Sequence, residues 1–319
     1  MSLRVYVTKV TDEAESIRSY ELIAAEGTPL PAFTAGAHIV VNLPNGMARQ
    51  YSLTGDAGDR QRYLIAVQRE TEGRGGSRWI YDNLREGDSL EIGDPVNHFT
   101  LAEEAERHLL IAGGIGITPI LAMASSLERA GADYHLVYCA RRPARTAFRN
   151  RLLSPAFQDR VRFVYDEAEE AQRLDLAAIL GAQPPGTHAY CCGPAGMIRA
   201  FRQATNHWPS ERVHFELFAA DPEAPPPPAE DQAFTVEIAS TGQRFEIPPG
   251  RSILAVLSGH GLEVPKLCES GYCGSCLTGV LEGVPEHRDS VQSDAERAAG
   301  TYIALCCSRA RSDLLVLDL

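Results

Sequence analysis

A compact cysteine motif constrains this chain more than any other part of its sequence. Three of the eight cysteines, Cys268, Cys273 and Cys276, fall within nine residues of the stretch LCESGYCGSC, in the spacing CxxxxCxxC. A fourth, Cys306, follows after 29 further residues. Glycines between the first three give the backbone the freedom that a tight loop needs. Because clustered thiols in a reducing compartment bind metal more often than they form disulfides, the motif predicts a metal centre.

The spacing is that of a plant-type [2Fe–2S] cluster, in which four thiolates hold two irons. A structural zinc site is the alternative, but zinc usually takes two short paired arms of the CxxC kind, whereas here the fourth cysteine stands alone. Cys307 adjoins Cys306, and the gap of 29 residues favours Cys306 as the ligand. The remaining cysteines, Cys139, Cys191 and Cys192, are expected to be small buried side chains in or near strands.

A proline-rich stretch divides the chain. Four consecutive prolines in AADPEAPPPPAE favour a stiff polyproline spacer over packed structure. With 319 residues the chain is long enough for two or three domains. The sequence therefore predicts a linker at 221–232, preceded by domains at 1–103 and 104–220 and followed by a domain at 233–319.

Each predicted domain has its own hydrophobic pattern. Strand-like runs such as RVYVTKV and HIVVNL, joined by Gly, Pro and Asn turns, predict an antiparallel β-barrel over 1–103. Runs such as HLLIA and HAYCC alternate with helical stretches such as LAMASSLERAG, which predicts a doubly wound α/β domain with a parallel sheet over 104–220. The last domain begins with the alternating strand FTVEI, its hairpin partner RFEI and a short helix capped by Ser252.

Charge and hydropathy exclude several classes of function. The chain has 30 Lys and Arg residues against 42 Asp and Glu, a net charge of −12, so neither nucleic acid nor a membrane surface is expected as a partner. The longest apolar stretch, 109–124, is too short and too broken by glycine and proline to span a bilayer. The first residues alternate like a strand and lack the apolar core of a signal peptide. A cytoplasmic, monomeric protein is expected.

Two glycine-rich stretches indicate phosphate binding. Gly73-Arg74-Gly75-Gly76-Ser77 precedes the short helical stretch SRWIYDNL and sets backbone N–H groups at a helix N-terminus, where a phosphate can bind. GGIGITP follows the strand HLLIA and opens a helix, with Thr118 as the expected N-cap and Pro119 at the first helical position. A dinucleotide pyrophosphate binds at this place in doubly wound sheets, although the pattern is not the strict GxGxxG.

Together these motifs resemble the phthalate dioxygenase reductase family, to which the reductase of vanillate demethylase also belongs. The resemblance covers nearly the whole chain, from RQYSL through GRGGS, GGIGITP, YCCGP, HWPS and HFELF to LCESGYCGSC, EHRDSV and LCCSRARSDLLVLDL. It implies a flavin β-barrel domain, a nicotinamide α/β domain and a C-terminal β-grasp ferredoxin domain, in that order.

The resemblance also implies a set of cofactor-binding residues. In the RxYS motif the arginine would meet the flavin phosphate, the tyrosine would pack on the ring system and the serine would hydrogen-bond near the reactive nitrogen; the CGP turn would lie near the nicotinamide and Phe218 over the flavin. The FMN residues implied are Arg49, Tyr51, Ser52, Gly75, Gly76, Ser77 and Phe218. Those implied for NAD and the flavin edge are Gly113, Gly114, Gly116, Thr118, Pro119, Cys192, Gly193 and Pro194. The cluster ligands implied are Cys268, Cys273, Cys276 and Cys306.

The cofactors predict an electron relay without an acid–base dyad or a nucleophile. NADH delivers two electrons as a hydride and a [2Fe–2S] cluster accepts one, so a flavin, FMN in this family, must stand between them. NADPH stays open, because Arg141 and Arg142 after the strand YHLVYCA would suit a 2′-phosphate. The resemblance implies a terminal Rieske non-haem iron oxygenase, acting on an aromatic compound, as the electron acceptor. The alternatives are a standalone NADH reductase of quinones or haem proteins, and a non-catalytic four-cysteine metal-site or redox-sensor protein.

Overall fold

The computed structural model describes residues 2–167, 174–219, 223 and 231–319. The chain divides into two compact units, Met1–Glu216 and Leu217–Leu319, and each is described by itself. The predicted linker at 221–232 lies outside the described residues except at 223, 231 and 232, so the predicted domain boundaries stay predictions. None of the helices in the described ranges has the length and apolar character needed to cross a membrane.

The first half of the first unit is a six-stranded antiparallel barrel. Its strand order is β4-β3-β6-β1-β2-β5, and an antiparallel bridge between Leu53 and Ile65 joins the two edges. Alternate residues such as Val5 and Val7 are buried, as the period-2 pattern predicted. Its elements are β1 (Leu3–Ala14), β2 (Ile17–Ala24), β3 (His38–Asn42), β4 (Ala48–Ser52), β5 (Tyr63–Gln68), α1 (Gly76–Asn83) and β6 (Ser89–Ile92).

The second half of the first unit is a parallel five-stranded sheet with the order β11-β10-β7-β8-β9. The chain runs outward from β7 through β8 to β9 and then returns to β10 on the other side of β7. The carboxyl ends of β7 and β10 therefore flank the switch point, where doubly wound sheets bind ligands. The elements are β7 (Arg107–Gly113), α2 (Ile117–Ala130), β8 (Tyr134–Ala140), α3 (Arg149–Leu152), β9 (Val161–Tyr165), α4 (Leu176–Gly181), β10 (Thr187–Cys192), α5 (Ala195–Ala204) and β11 (Val213–Glu216).

A hydrophobic cluster joins the barrel to the parallel sheet, next to a separate core inside the barrel. Ile17, Ala66 and Phe99 from the barrel half pack in the same buried cluster as Leu110 and Ile120 from the sheet half. Burial of apolar side chains on both sides of this junction removes surface from water that either half alone would expose. The loops of the two halves are therefore held in a fixed relation.

The start of α2 differs from the sequence prediction. A 3-10 turn over Gly114–Gly116 leads directly into the helix, so the N-cap position moves upstream to Gly116. Thr118, the predicted N-cap, lies inside the first turn instead, where its hydroxyl donates to the carbonyl of Ile115 at 3.0 Å. Pro119, predicted at the first helical position, is the third residue of α2. Proline is tolerated in this turn because the first-turn N–H groups have no helical acceptor.

The second unit is a mixed sheet with a helix against it, the β-grasp fold that the resemblance implied. Its order is β13-β12-β18-β14-β16, with β12 and β18 parallel to each other, and β15 and β17 form a separate pair. The predicted cap is present, since the Ser252 hydroxyl accepts from the N–H of Ala255 at 3.1 Å. The elements are β12 (Phe234–Ile238), β13 (Arg244–Ile247), α6 (Ile253–Gly259), β14 (Leu277–Glu282), β15 (Pro285–Glu286), α7 (Asp294–Ala299), β16 (Tyr302–Ala304), β17 (Arg309–Ala310) and β18 (Leu314–Leu317).

A buried histidine in the barrel makes the stability of the first unit depend on pH. Burial lowers the pKa of His38, which is 7% exposed, from 6.5 to about 4. The folded state favours the neutral His38 ring. The free energy of unfolding is therefore not reduced by this residue above pH 6.5, and it falls as the pH drops from 6.5 towards about 4. We expect His38→Gln to reduce this loss by on the order of 3 kcal/mol.

Unfolding of this variant can be followed by tryptophan fluorescence, since Trp79 and Trp208, the two tryptophans of the chain, both lie in the first unit. Wild type and variant should agree above pH 7 once a constant offset for the substitution is removed. Parallel loss of stability in the two proteins between pH 6.5 and 4 would contradict the assignment to His38.

Candidate functional site

The four motif cysteines converge in the second unit. Cys268, Cys273 and Cys276 are all at least nine-tenths buried, and Cys306 is partly buried. Hydrogen bonds from Cys273 and Cys306 lower the pKa of the Cys268 thiol, and a bond from Cys306 lowers that of Cys276. The thiols are thus linked in a chain, from Cys273 to Cys268, on to Cys306 and from there to Cys276. No group of three His, Cys, Asp or Glu side chains within the described ranges surrounds a single-ion position.

The four linked thiols fit a [2Fe–2S] cluster, which takes four cysteine ligands. Backbone N–H groups also reach the sulfurs, as the N–H of Ser270 donates to Cys268 Sγ at 3.3 Å. Gly271 and Gly274 have φ of 76° and 74°, a left-handed conformation that side chains disfavour, and so they allow the loop to fold around the site.

The motif EHRDSV closes over the same loop. The N–H of Ser290 donates to the carbonyl of Gly271 at 2.8 Å, and the buried Asp289 lies against the same glycine. Cys307 packs there too, because a Cβ on Gly271 would come within 2.6 Å of its sulfur. Cys306 contacts the motif thiols of Cys268 and Cys276, whereas Cys307 contacts Cys306 and fills space beside the loop.

A second candidate site lies in the barrel, where the RQYS and GRGGS motifs meet. Gly75 has φ of 82° and precedes α1, and a Cβ on it would meet no atom within 4 Å, so the space beside it is open. The Arg49 guanidinium donates to the carbonyl of Arg74 at 2.9 Å, and a Cβ on Gly76 would lie 2.6 Å from the Arg49 side chain. An arginine fork beside the N-terminus of a helix is suited to a phosphate.

The other predicted flavin residues lie next to this loop or in strand β4. Ser52 is buried and pairs across the strands with His38, and burial raises the pKa of Tyr51 well above its usual range, so its phenol stays neutral. The Ser77 hydroxyl accepts from the N–H of Glu70 at 3.3 Å. Phe218 is 39% exposed and falls in the second unit, so its predicted position over the flavin stays a prediction.

The predicted nicotinamide loops pack backbone to backbone at the switch point of the parallel sheet. A Cβ on Gly116 would lie 2.2 Å from the carbonyl oxygen of Cys192, and one on Gly193 would lie 3.2 Å from the Cα of Gly113. Only glycine allows the turns after β7 and β10 to approach so closely. Gly114, with φ of 54°, faces open space, which leaves room for a ligand at this edge.

Glu216 is a partly buried acid, with an inaccessible carboxyl oxygen, that the sequence analysis did not predict. It ends β11 beside Cys192, its Oε2 has no hydrogen-bond partner, and burial raises its pKa to about 8. The carboxyl is therefore protonated at neutral pH and can donate a hydrogen bond to a bound ring. The sequence did contain a signal, because Glu216 is the one acidic residue in HFELF, a stretch that is otherwise typical of a core strand.

Two family models match the chain. The model described as a 2Fe-2S iron-sulfur cluster binding domain matches residues 236–311, which include all four motif cysteines. The model described as the N-terminal domain of dimethylamine monooxygenase subunit DmmA-like matches residues 95–210, which include both predicted nicotinamide loops.

Full-length relatives decide the family. Vanillate O-demethylase oxidoreductase from Pseudomonas sp. is 44% identical over 319 residues, 99% of this chain and 100% of that relative. The solved structure of phthalate dioxygenase reductase, titled a modular structure for electron transfer from pyridine nucleotides to [2Fe-2S], is 43% identical, with a TM-score of 0.72 over 100% of this chain and 98% of that one. The chain belongs to the phthalate dioxygenase reductase family. The resemblance seen in the motifs is thereby confirmed, as is the predicted fold class.

As a member of the phthalate dioxygenase reductase family, the chain is an NADH-dependent flavin and iron–sulfur oxidoreductase with FMN and a [2Fe–2S] cluster as cofactors. The fold also occurs inside a longer protein. An intact type IV self-sufficient cytochrome P-450 monooxygenase matches with a TM-score of 0.93 and 37% identity, over 100% of this chain and 41% of that protein.

The glycine contact at the switch point gives a direct test of the nicotinamide loops. We expect Gly116→Ala to slow reduction of the protein by NADH by on the order of 100-fold, because its methyl group would push the two turns apart. The measurement is the stopped-flow bleaching of the flavin by NADH, with bleaching by dithionite unchanged. Gly181→Ala is the matched control in the same half, since a Cβ there meets no atom within 4 Å. Equal rates for Gly116→Ala and wild type would refute the assignment.

Proposed function

We propose that this chain is the reductase component of a two-component Rieske-type oxygenase or demethylase that acts on an aromatic compound. The observation that carries the proposal is the joining of three site types in one chain: a glycine-lined nucleotide edge, an arginine-flanked phosphate loop and four linked thiols. Relatives that align over the whole chain are named as reductases of vanillate O-demethylase and phthalate dioxygenase. Electrons would pass from NADH to FMN, to the cluster and to the oxygenase.

Specific residues are proposed to bind the flavin, the nicotinamide and the iron–sulfur cluster. When bound, FMN would supply the chemistry that links a two-electron hydride donor to a one-electron iron–sulfur acceptor. Arg49 and the N–H groups after Gly75 would hold its phosphate, and Tyr51 and Ser52 would contact its ring. The turns at Gly113–Gly116 and Cys192–Pro194 would orient the nicotinamide, while Cys268, Cys273, Cys276 and Cys306 would hold the cluster. The chain's own task is to orient these groups and exclude water, so no nucleophile is required.

The neutral groups at the nicotinamide edge support hydride transfer. Burial raises the pKa of the Cys192 thiol well above its usual range, and the Glu216 carboxyl has a pKa of about 8. Neither group carries a charge at neutral pH. Exclusion of water from an uncharged surface strengthens the interactions that orient the reacting rings.

The oxygen chemistry is proposed to occur on another protein. The sequence has no CxH followed by CxxH, the ligand pattern of a Rieske centre, so the cluster is of the all-cysteine kind with a low potential. From Glu230 onward there are 13 acidic and 7 basic residues, and this excess of negative charge would suit docking to a basic patch of the oxygenase. We propose a monomer in the cytoplasm, whose reducing conditions suit a thiol-bound cluster.

A second candidate function is reduction of a haem protein. It is favoured by the likeness to the self-sufficient cytochrome P-450 monooxygenase, in which the matching region is part of the same chain as the rest of that protein. Quinones are a further class of acceptor for the same relay.

The assignment of the fourth ligand can be tested with two adjacent thiols. We expect Cys306→Ser to lose the cluster or perturb it severely, because this thiol contacts two other motif cysteines. Cys307→Ser is the matched control and should keep a full cluster. Iron and acid-labile sulfide per chain, together with the visible spectrum, measure the outcome. The reverse result would reassign the ligand to Cys307.

The acceptor can be tested by turnover. We expect NADH to bleach both the flavin bands and the broad cluster absorbance of the purified protein, and a purified Rieske oxygenase with its aromatic substrate to re-oxidise it faster than quinones or a cytochrome do. Faster turnover with a cytochrome would favour the second candidate. A cluster that stays oxidised while NADH reduces the flavin would exclude the proposed electron path.

A further inference from the structure

The carboxyl end of β8 carries an unusual charge pattern for an NADH site. In doubly wound sheets the ribose of the adenosine half lies at the end of the second strand, where an acid binds the 2′-hydroxyl of NAD and an arginine accommodates the 2′-phosphate of NADP. In this chain β8 is followed by ARRPAR, so that Arg141, Arg142 and Arg145 occupy this loop without an acid of its own. Taken alone, these arginines favour NADPH.

An acid from the barrel neutralises two of these arginines. Glu15 lies in the turn between β1 and β2, and its Oε2 accepts a hydrogen bond from Arg142 Nη2 at 2.7 Å. The same oxygen lies 3.5 Å from Arg145 Nε. The bond from Arg142 lowers the pKa of the Glu15 carboxyl, so this group is ionised at neutral pH. One carboxylate thus engages two arginines that come 127 and 130 positions later in the chain.

The backbone fixes this contact as well. The N–H of Glu15 donates to the carbonyl of Ala144 at 2.9 Å, so the hairpin turn is bonded to the arginine loop independently of any side chain. The loop is ordered by its own bonds, including one from the Thr146 hydroxyl to the Arg142 carbonyl at 3.2 Å. An exposed ion pair is usually weak, but here the carboxylate needs no additional ordering to reach its partners.

The third arginine faces acids from the next strand. Arg141 Nε lies 3.8 Å from Glu167 Oε1, and the N–H groups of Asp166 and Glu167 donate to the carbonyls of Ala140 and Arg141 at 3.4 and 2.9 Å. Among the described residues the end of β8 therefore holds three arginines against three carboxylates, of which Glu15 comes from the barrel. A ribose 2′-phosphate dianion would meet no net positive charge there, whereas a 2′-hydroxyl would find carboxylate acceptors.

We propose that Glu15 is a specificity-determining residue that favours NADH over NADPH by engaging Arg142 and Arg145, which would otherwise bind a 2′-phosphate. The inference rests on the proposed nicotinamide site at the ends of β7 and β10. The flavin barrel thereby has a role in coenzyme selection, because its β1–β2 turn contributes the carboxylate that pairs with the arginines of the loop after β8.

The test compares coenzymes in the FMN-loaded and cluster-loaded protein, with ferricyanide as the acceptor. We expect Glu15→Gln to raise kcat/KM for NADPH by about fivefold, the upper value of an exposed ion pair, while that for NADH stays within about twofold. Adding Arg142→Ala to Glu15→Gln should remove most of the gain. An unchanged NADPH to NADH ratio in Glu15→Gln, or a gain that persists in full without Arg142, would overturn the proposal.

Glu91→Gln is the matched control, because Glu91 accepts from Arg4 at 2.9 Å on the same barrel with similar exposure. It removes the same charge and should leave the coenzyme ratio unchanged; an equal gain would mean a general charge effect and would also overturn the proposal. Binding of adenosine 2′-phosphate, measured by calorimetry, gives a readout that needs no electron transfer. Adenosine 2′-phosphate should bind more tightly to Glu15→Gln than to wild type or to Glu91→Gln. Because this measurement does not depend on electron transfer, failure of this inference can be distinguished from failure of the proposed function.

Discussion

The first unit depends on a hydrophobic cluster that joins the barrel to the parallel sheet. Because Ile17 and Phe99 pack in the same cluster as Leu110 and Ile120, the two halves cannot shift without exposing apolar surface. The phosphate loop of the barrel and the switch point of the sheet are thereby held in one geometry. Hydride transfer needs such fixed placement, since small displacements of the reacting atoms reduce its rate steeply.

The same packing explains how a flavin barrel can contribute to a nucleotide site. Ile17 at the start of β2 packs in the cluster shared with the sheet, and the N–H of the neighbouring Glu15 donates to the carbonyl of Ala144 in the loop after β8. At the switch point the two glycine turns touch through their backbones, and the nearby Cys192 and Glu216 are uncharged. Charge is thus concentrated at the proposed adenosine end and excluded from the proposed nicotinamide end.

Much of the fold and of the candidate sites could be predicted from the sequence, because the sequence patterns that encode them are local. The cysteine spacing, the glycines of GRGGS and GGIG and the period-2 strands each encode their own structure within a few residues. The N-cap of α2 was predicted wrongly at Thr118, because a 3-10 turn before the helix leaves no mark that distinguishes it from a cap. Glu15 and Glu216 escaped prediction for a different reason. Their roles come from neighbours distant in the chain, which only the tertiary fold brings together.

The pairing of the first and last strands of the ferredoxin unit bears on how its metal centre is assembled. β12 and β18 lie side by side at the middle of the sheet, with Val236 opposite Leu315. The sheet cannot close until Leu314–Leu317 are available to pair, and Cys306 precedes this strand by eight residues. All four cysteines are therefore synthesised before the sheet that gathers them can form. Translation interrupted between Cys306 and Leu314 would leave the four thiols without that scaffold.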